Sequence, residues 1–169
     1  MWLFRNRRIF HRPPYKSSLL GKKIGTNIAG TVACPYFFPT ERISLGWAFP
    51  GRLPLGAGFT GSCHALAQHA TPTETELREF CNMGYARGCA RMPKDRHADG
   101  VRFAVARDEG TRVILHYVSE CDHEPLEYGR LEYDCAQNRW AAPLRDACLQ
   151  RQAECYMAVY LDRRPRKTG

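Results

Sequence analysis

The 169-residue chain is 44% hydrophobic and 25% charged, the make-up of one globular domain rather than two. No run of about 18 apolar residues occurs, so no segment reads as a membrane-spanning helix. The net charge of +8 suggests nucleic acid until it is located. Residues 1–33 hold seven bases and no acid, and residues 163–169 hold four bases and no acid. The body between them carries fourteen bases against seventeen acids, a net of −3. Two basic tails therefore flank a mildly acidic domain at 34–162. Such tails give at most weak contact with nucleic acid or an anionic surface.

Residues 1–33 read as a disordered tail or as an extension from a start placed too far upstream. The segment lacks the apolar run of a secretory signal. "TVAC" only faintly resembles a lipoprotein cleavage box, although an Arg-rich, acid-free start also suits a mitochondrial presequence. The expected compartment is the cytoplasm, where thiols stay reduced. Eight cysteines are many for that compartment.

Residues 34–62, "CPYFFPTERISLGWAFPGRLPLGAGFTGS", are rich in Pro, Gly and aromatic residues and hold no period for long. They are expected to be irregular, lying on a core through Tyr36, Phe37, Phe38, Trp47 and Phe49. Thr73 and Glu76 then form a capping box, with Glu74 in the first turn, so a helix begins there. Leu77, Phe80 and Cys81 form its apolar stripe. Residues 101–120 carry two strand-like runs joined around Glu109-Gly110, a hairpin signature. "LEYGRLEYDC" reads as a third strand. Residues 144–163 place Leu144, Cys148, Cys155, Tyr156, Val159 and Tyr160 at helical spacing. The expected fold class is α+β: an irregular N-terminal half, one helix, a three-stranded antiparallel sheet and a C-terminal helix.

Cys34, Cys63, Cys81 and Cys89 all lie in the first half of the body, each near a glycine, a proline or a helix end. Four thiolates complete a tetrahedral zinc site or the ligand set of a [4Fe–4S] cluster. If one helix ran from Cys81 to Cys89, the two would stand about 12 Å apart along its axis. A shared metal site therefore needs the helix to end near Gly84 and not at Gly88. No C-x-x-C pair occurs, which favours Fe–S slightly over zinc. Two alternatives stay open: buried thiols that only fill space, and disulfides. His64 could replace one thiol as a ligand, but reads first as a polar loop residue.

The other cysteines read differently. Cys148 and Cys155 fall on the apolar stripe of the last helix and read as core. Cys121, beside Asp122 and His123, invites a nucleophile reading, but neighbours in sequence do not make a catalytic pair. Arg87 and Arg91 flank Cys89 and would favour its thiolate, or serve only as surface charge, the reading preferred slightly.

"ACPYFFP", "LPLGAGFTGSCHA", "CNMGYARGCARMP" and "VRFAV" together resemble the blocks of an uncharacterised family of small bacterial cysteine-containing proteins. The resemblance spans about residues 33 to 160. It implies that Cys34, Cys63, Cys81 and Cys89 form one set, and it brings no activity with it. Three functions follow as expectations. The first is a four-cysteine metal protein with a structural or electron-transfer role. The second is a metal-free module meeting a protein partner through residues 35–60. The third is a thiol enzyme using Cys89 or Cys121.

Overall fold

A computed structural model describes residues 32–43, 46–84 and 88–165. The basic segment 1–31 and residues 166–169 lie outside the described residues. Among those described, no helix is long and apolar enough to cross a membrane.

The chain builds two antiparallel sheets and a long C-terminal helix. Strand β1 (Phe37–Ile43) pairs with β2 (Gly58–Cys63), setting Phe37 opposite Cys63. The larger sheet has the order β3 (Gly100–Asp108), β4 (Arg112–Cys121), β5 (Glu124–Asp134) and β6 (Arg139–Trp140). Alternation explains its inner face. Val101, Phe103, Val113, Leu115, Tyr117, Leu131 and Tyr133 are buried, and cross-strand pairs such as Val113–Tyr133 and Leu115–Leu131 stack there.

Turn chemistry joins the strands. Gly110, at φ +93°, turns β3 into β4, and its N–H donates to the Asp108 carboxylate. Asp122 and His123, both at positive φ, form a two-residue turn between β4 and β5. The hairpin expected around Glu109-Gly110 is present.

The three-stranded sheet is not. A fourth strand, β6, extends it, and the 34–62 segment expected to be irregular holds a sheet of its own. Both departures have plain causes. Two residues are too few to display alternation, and β6 is fixed by what it packs on: Trp140 meets the Tyr133 ring edge-on at 4.9 Å. In the first sheet, Pro39 and a bulge before Arg42 break the pattern of β1. No turn dipeptide joins it to β2, because a Pro/Gly-rich stretch with one 3₁₀ turn (Pro50–Arg52) lies between. Gly61 is required there, since a Cβ would strike the Phe38 carbonyl and the Phe37 ring.

The first helix is also shorter and looser than its sequence suggests. The capping box forms, with the Glu76 N–H donating to Thr73 Oγ1 at 3.2 Å and the Thr73 N–H donating to Glu76 at 2.7 Å. Only Glu74–Glu76 (α1) is α-helical, and Leu77–Cys81 continues as a π turn. Its last bond runs from the Asn82 N–H to the Leu77 carbonyl, at 3.1 Å.

Helix α2 (Ala147–Arg163) starts at Asp146, whose side chain accepts from the Leu149 N–H. It packs on β1: Arg151 donates to the carbonyls of Pro39 and Thr40, and Arg42 pairs with Asp162 at 2.8 Å. A single cluster of buried side chains joins both sheets and α2. Residues near both ends of the described chain pack into the fold. Val32 and Ala33 are buried, Arg163 ends α2 and donates to Gly56, and Arg164 pairs with Asp108.

Candidate metal centre

Each of the four first-half cysteines stands where a chain segment turns or ends. Ala33 exchanges two backbone hydrogen bonds with Val101 of β3, at 2.8 and 2.9 Å, which fixes the approach to Cys34. Pro35 then sets the φ that a tight turn needs. The turn closes when the Phe37 N–H donates to the Cys34 carbonyl at 3.1 Å. Cys63 is the last residue of β2 and exchanges backbone bonds with Ala70, at 2.7 and 3.1 Å, tying off the loop between them. Cys81 ends the π turn. Cys89 opens a second tight turn, closed by the Met92 N–H on its carbonyl at 3.0 Å.

These four segments converge. Cys34, Cys63, Cys81 and Cys89 all line one cavity, walled by Phe37 and Phe80 and edged by Glu76 and Arg91. The cavity is small, about 20 Å³, and opens to solvent. Cys34, Cys63 and Cys81 are buried; Cys89 is half-buried. All eight cysteines are free thiols. Among the described residues, no three Cys, His, Asp or Glu side chains close on one point tightly enough to grip a single ion as they stand.

Burial pushes the Cys34 thiol up to about 12. A hydrogen bond from the Tyr36 N–H opposes that rise, and the nearby thiols of Cys63 and Cys89 add to it. Burial also raises Cys81, followed by the charges that Cys34, Cys63 and Cys89 would carry. Two consequences follow. The thiols stand close enough to sense one another, and without a cation this cavity disfavours more than one thiolate. A bound cation reverses that preference, because a coordinated thiol gives up its proton.

Three sets of side-chain bonds, all unforeseen in the sequence, hold the walls. Asn82 acts as a piece of strand: its Oδ1 accepts from the Phe59 N–H at 2.9 Å, and its Nδ2 donates to the Phe59 carbonyl at 3.0 Å. The same amide donates to Leu77 at 3.0 Å, so Cys81 is clamped to β2. Gln152 reaches from α2, fully buried, and donates to the carbonyls of Cys34 at 2.8 Å and Phe37 at 2.7 Å. Arg91 makes a two-pronged pair with Glu76, at 2.8 and 3.0 Å, joining the Cys89 turn to the first helix. Glu76 therefore serves the capping box and the site wall together. Its pKa is lowered, first by the Thr73 N–H and also by Arg91.

Gly84 takes a different part from the one expected. The helical bonds stop at Asn82, and Gly84 follows at φ +149°, a conformation other residues rarely adopt. The required break before Gly88 is present, made by Asn82 and not by a left-handed glycine cap. Arg87 lies outside the described residues.

The remaining candidates lie outside the cavity, although Cys148 stands close enough to Cys34 and Cys63 to sense their charge. His64 stacks between Phe38 and His69, with ring centroids at 5.0 and 3.5 Å, and bonds Ser62 at 2.9 Å. It lines a neighbouring groove, not the cysteine cavity. Cys121 ends β4 at the Asp122-His123 turn, where the Asp122 N–H donates to buried Asp99. Cys148 and Cys155 are buried on α2, where burial raises them to about 12 and 11.

No family model, curated protein or solved structure matches the chain.

Proposed function

We propose that Cys34, Cys63, Cys81 and Cys89 hold one [4Fe–4S] cluster, which anchors the first half of the fold and serves electron transfer or redox sensing. The observation that carries this reading is the convergence of four thiols, from four separate segments, on one cavity. Thiolates are the ligands such clusters take. The lack of any C-x-x-C pair in the sequence favours a cluster slightly over one zinc. When bound, the cluster supplies a one-electron couple.

The chain's own residues do the rest. Phe37 and Phe80 wall the cavity against water. The Tyr36 N–H directed at the Cys34 sulfur offsets part of the thiolate charge, one of the levers that set a cluster's potential. Gln152, Asn82 and the Arg91–Glu76 pair fix three of the four segments. Free thiols in this number suit a reducing compartment, and we assign the cytoplasm.

Anaerobic purification tests the proposal. A brown protein absorbing near 400 nm, with iron and sulfide in matched amounts, supports it. Colourless protein with stoichiometric zinc overturns the cluster and keeps the site. Metal-free protein whose folding is indifferent to Ser at each of the four positions overturns both.

A further inference from the structure

A second cavity adjoins the cysteine site. It measures about 570 Å³, within the range of small-molecule pockets. Val101 and Ser119 of the large sheet line its buried side, and Leu144 and Leu149 line it from the start of α2. Tyr36 lines both cavities and separates them.

The charges around this groove do not balance. Glu127 and Asp146 face one base, Arg145, two acids against one for a net of −1. His64 and His97 also line it, and an ordinary imidazole carries no charge at pH 8. Neither carboxylate has a basic partner among the described residues. Glu127 accepts from the neutral Tyr117 hydroxyl at 2.9 Å, and Asp146 accepts from the Leu149 N–H at 2.8 Å. Such bonds orient a carboxylate without neutralising it. Elsewhere an arginine sits on each of Glu76, Asp99, Asp108, Glu120 and Glu132.

Two further observations point inward. Burial raises the pKa values of Tyr36 and Cys148, and the charge of Asp146 adds to both rises, so that charge is felt along the groove wall. Ser119 is only 6% exposed, lines the groove, and leaves its hydroxyl without a hydrogen-bond partner among the described residues.

We propose that this groove binds a small organic amine, its ammonium group drawn by Glu127 and Asp146 and donating to the Ser119 hydroxyl, its carbon body over Val101, Leu144 and Leu149. The Tyr36 and Tyr117 rings in the lining suit a cation as well. Arg145 opposes the ligand's charge from an exposed position and limits affinity without reversing the sign. The claim does not depend on a metal in the cysteine cavity.

Methyl-resolved NMR on the full chain at pH 8 tests it. Benzylamine, 2-phenylethylamine and isoamylamine serve as probes, and the matching alcohols are the uncharged controls. Expected are saturable shifts of the Val101, Leu144 and Leu149 methyls with at least one amine. Its alcohol should bind about tenfold more weakly. The double variant Glu127→Gln/Asp146→Asn should weaken that amine about tenfold as well. Both residues are exposed, Gln can still accept from Tyr117 and Asn can still cap α2, so this variant keeps the fold. Arg145→Gln should tighten amine binding about threefold, the opposite sign. Ser119→Ala should weaken it about threefold. No saturable shift with any amine overturns the proposal. So does equal binding of an amine and its alcohol, unchanged affinity in the double variant, or weaker binding in Arg145→Gln. A cysteine site without metal would leave all these outcomes as they stand.

Discussion

The two halves of this protein are held by different means. Residues 100–140 form a continuous ladder of four strands, in which each strand's register follows from alternation and turn residues. Among the described residues, 32–99 hold one short bulged strand pair, a 3₁₀ turn and a single α-helical turn extended by a π turn. Their loops are tied by individual side chains, Asn82, Gln152 and Arg91. A ladder spreads its stability over many equivalent bonds. A set of clamps concentrates it, and a shared centre among four thiols is what such an arrangement would need.

The largest effect should come from the cysteines. Cys81→Ser should remove bound metal almost completely and loosen hydrogen-exchange protection across 32–99 while leaving β3–β5 protected. Uniform loss over both halves would break the contrast drawn above.

A pH series sharpens it further. Cys34, raised from 9.0 to about 12, keeps its proton in the folded state after the unfolded chain has lost it. The unfolded state then binds fewer protons, so metal-free protein should lose stability as pH rises from about 9 to about 12. Metal uptake releases thiol protons, so metal affinity should instead rise as pH climbs towards that window. Denaturant titrations of both forms across pH 8–11 would read the two trends. Parallel trends would count against the site.

Asn82→Ala removes three hydrogen bonds and leaves both polar groups of Phe59 without that partner. The expected cost is about 3 kcal/mol in urea unfolding. Gln152→Leu strips the donor from two carbonyls and should cost about 2 kcal/mol, with reduced metal retention. Cys148→Ala and Cys155→Ala should cost only about 1 kcal/mol each and leave metal content unchanged. Metal loss in either would mean that the two sets of cysteines are not separate.

Much of the second half was legible in the sequence. Glu109-Gly110 marks its hairpin, and Cys148 and Cys155 mark the buried side of α2, because turns and amphipathic periods are local properties. The capping box at Thr73 and Glu76 was legible for the same reason. The first half was less so. Pro39 and the Pro/Gly-rich stretch between β1 and β2 hide a real pair of strands, since register across a long connection is set by packing. Asn82 gives no sign that its amide will complete the backbone bonding of Phe59, 23 residues away.

The four candidate cysteines, their positions at breaks in the chain and the need for the helix to stop before Gly88 are all readable from residue order, because residue type and local chain stiffness decide them. That the four thiols share one cavity, that Asn82 and Gln152 hold it, and that a groove lies behind Tyr36 emerge from the folded chain alone. Those depend on bonds between residues as much as 118 positions apart, which no local pattern encodes.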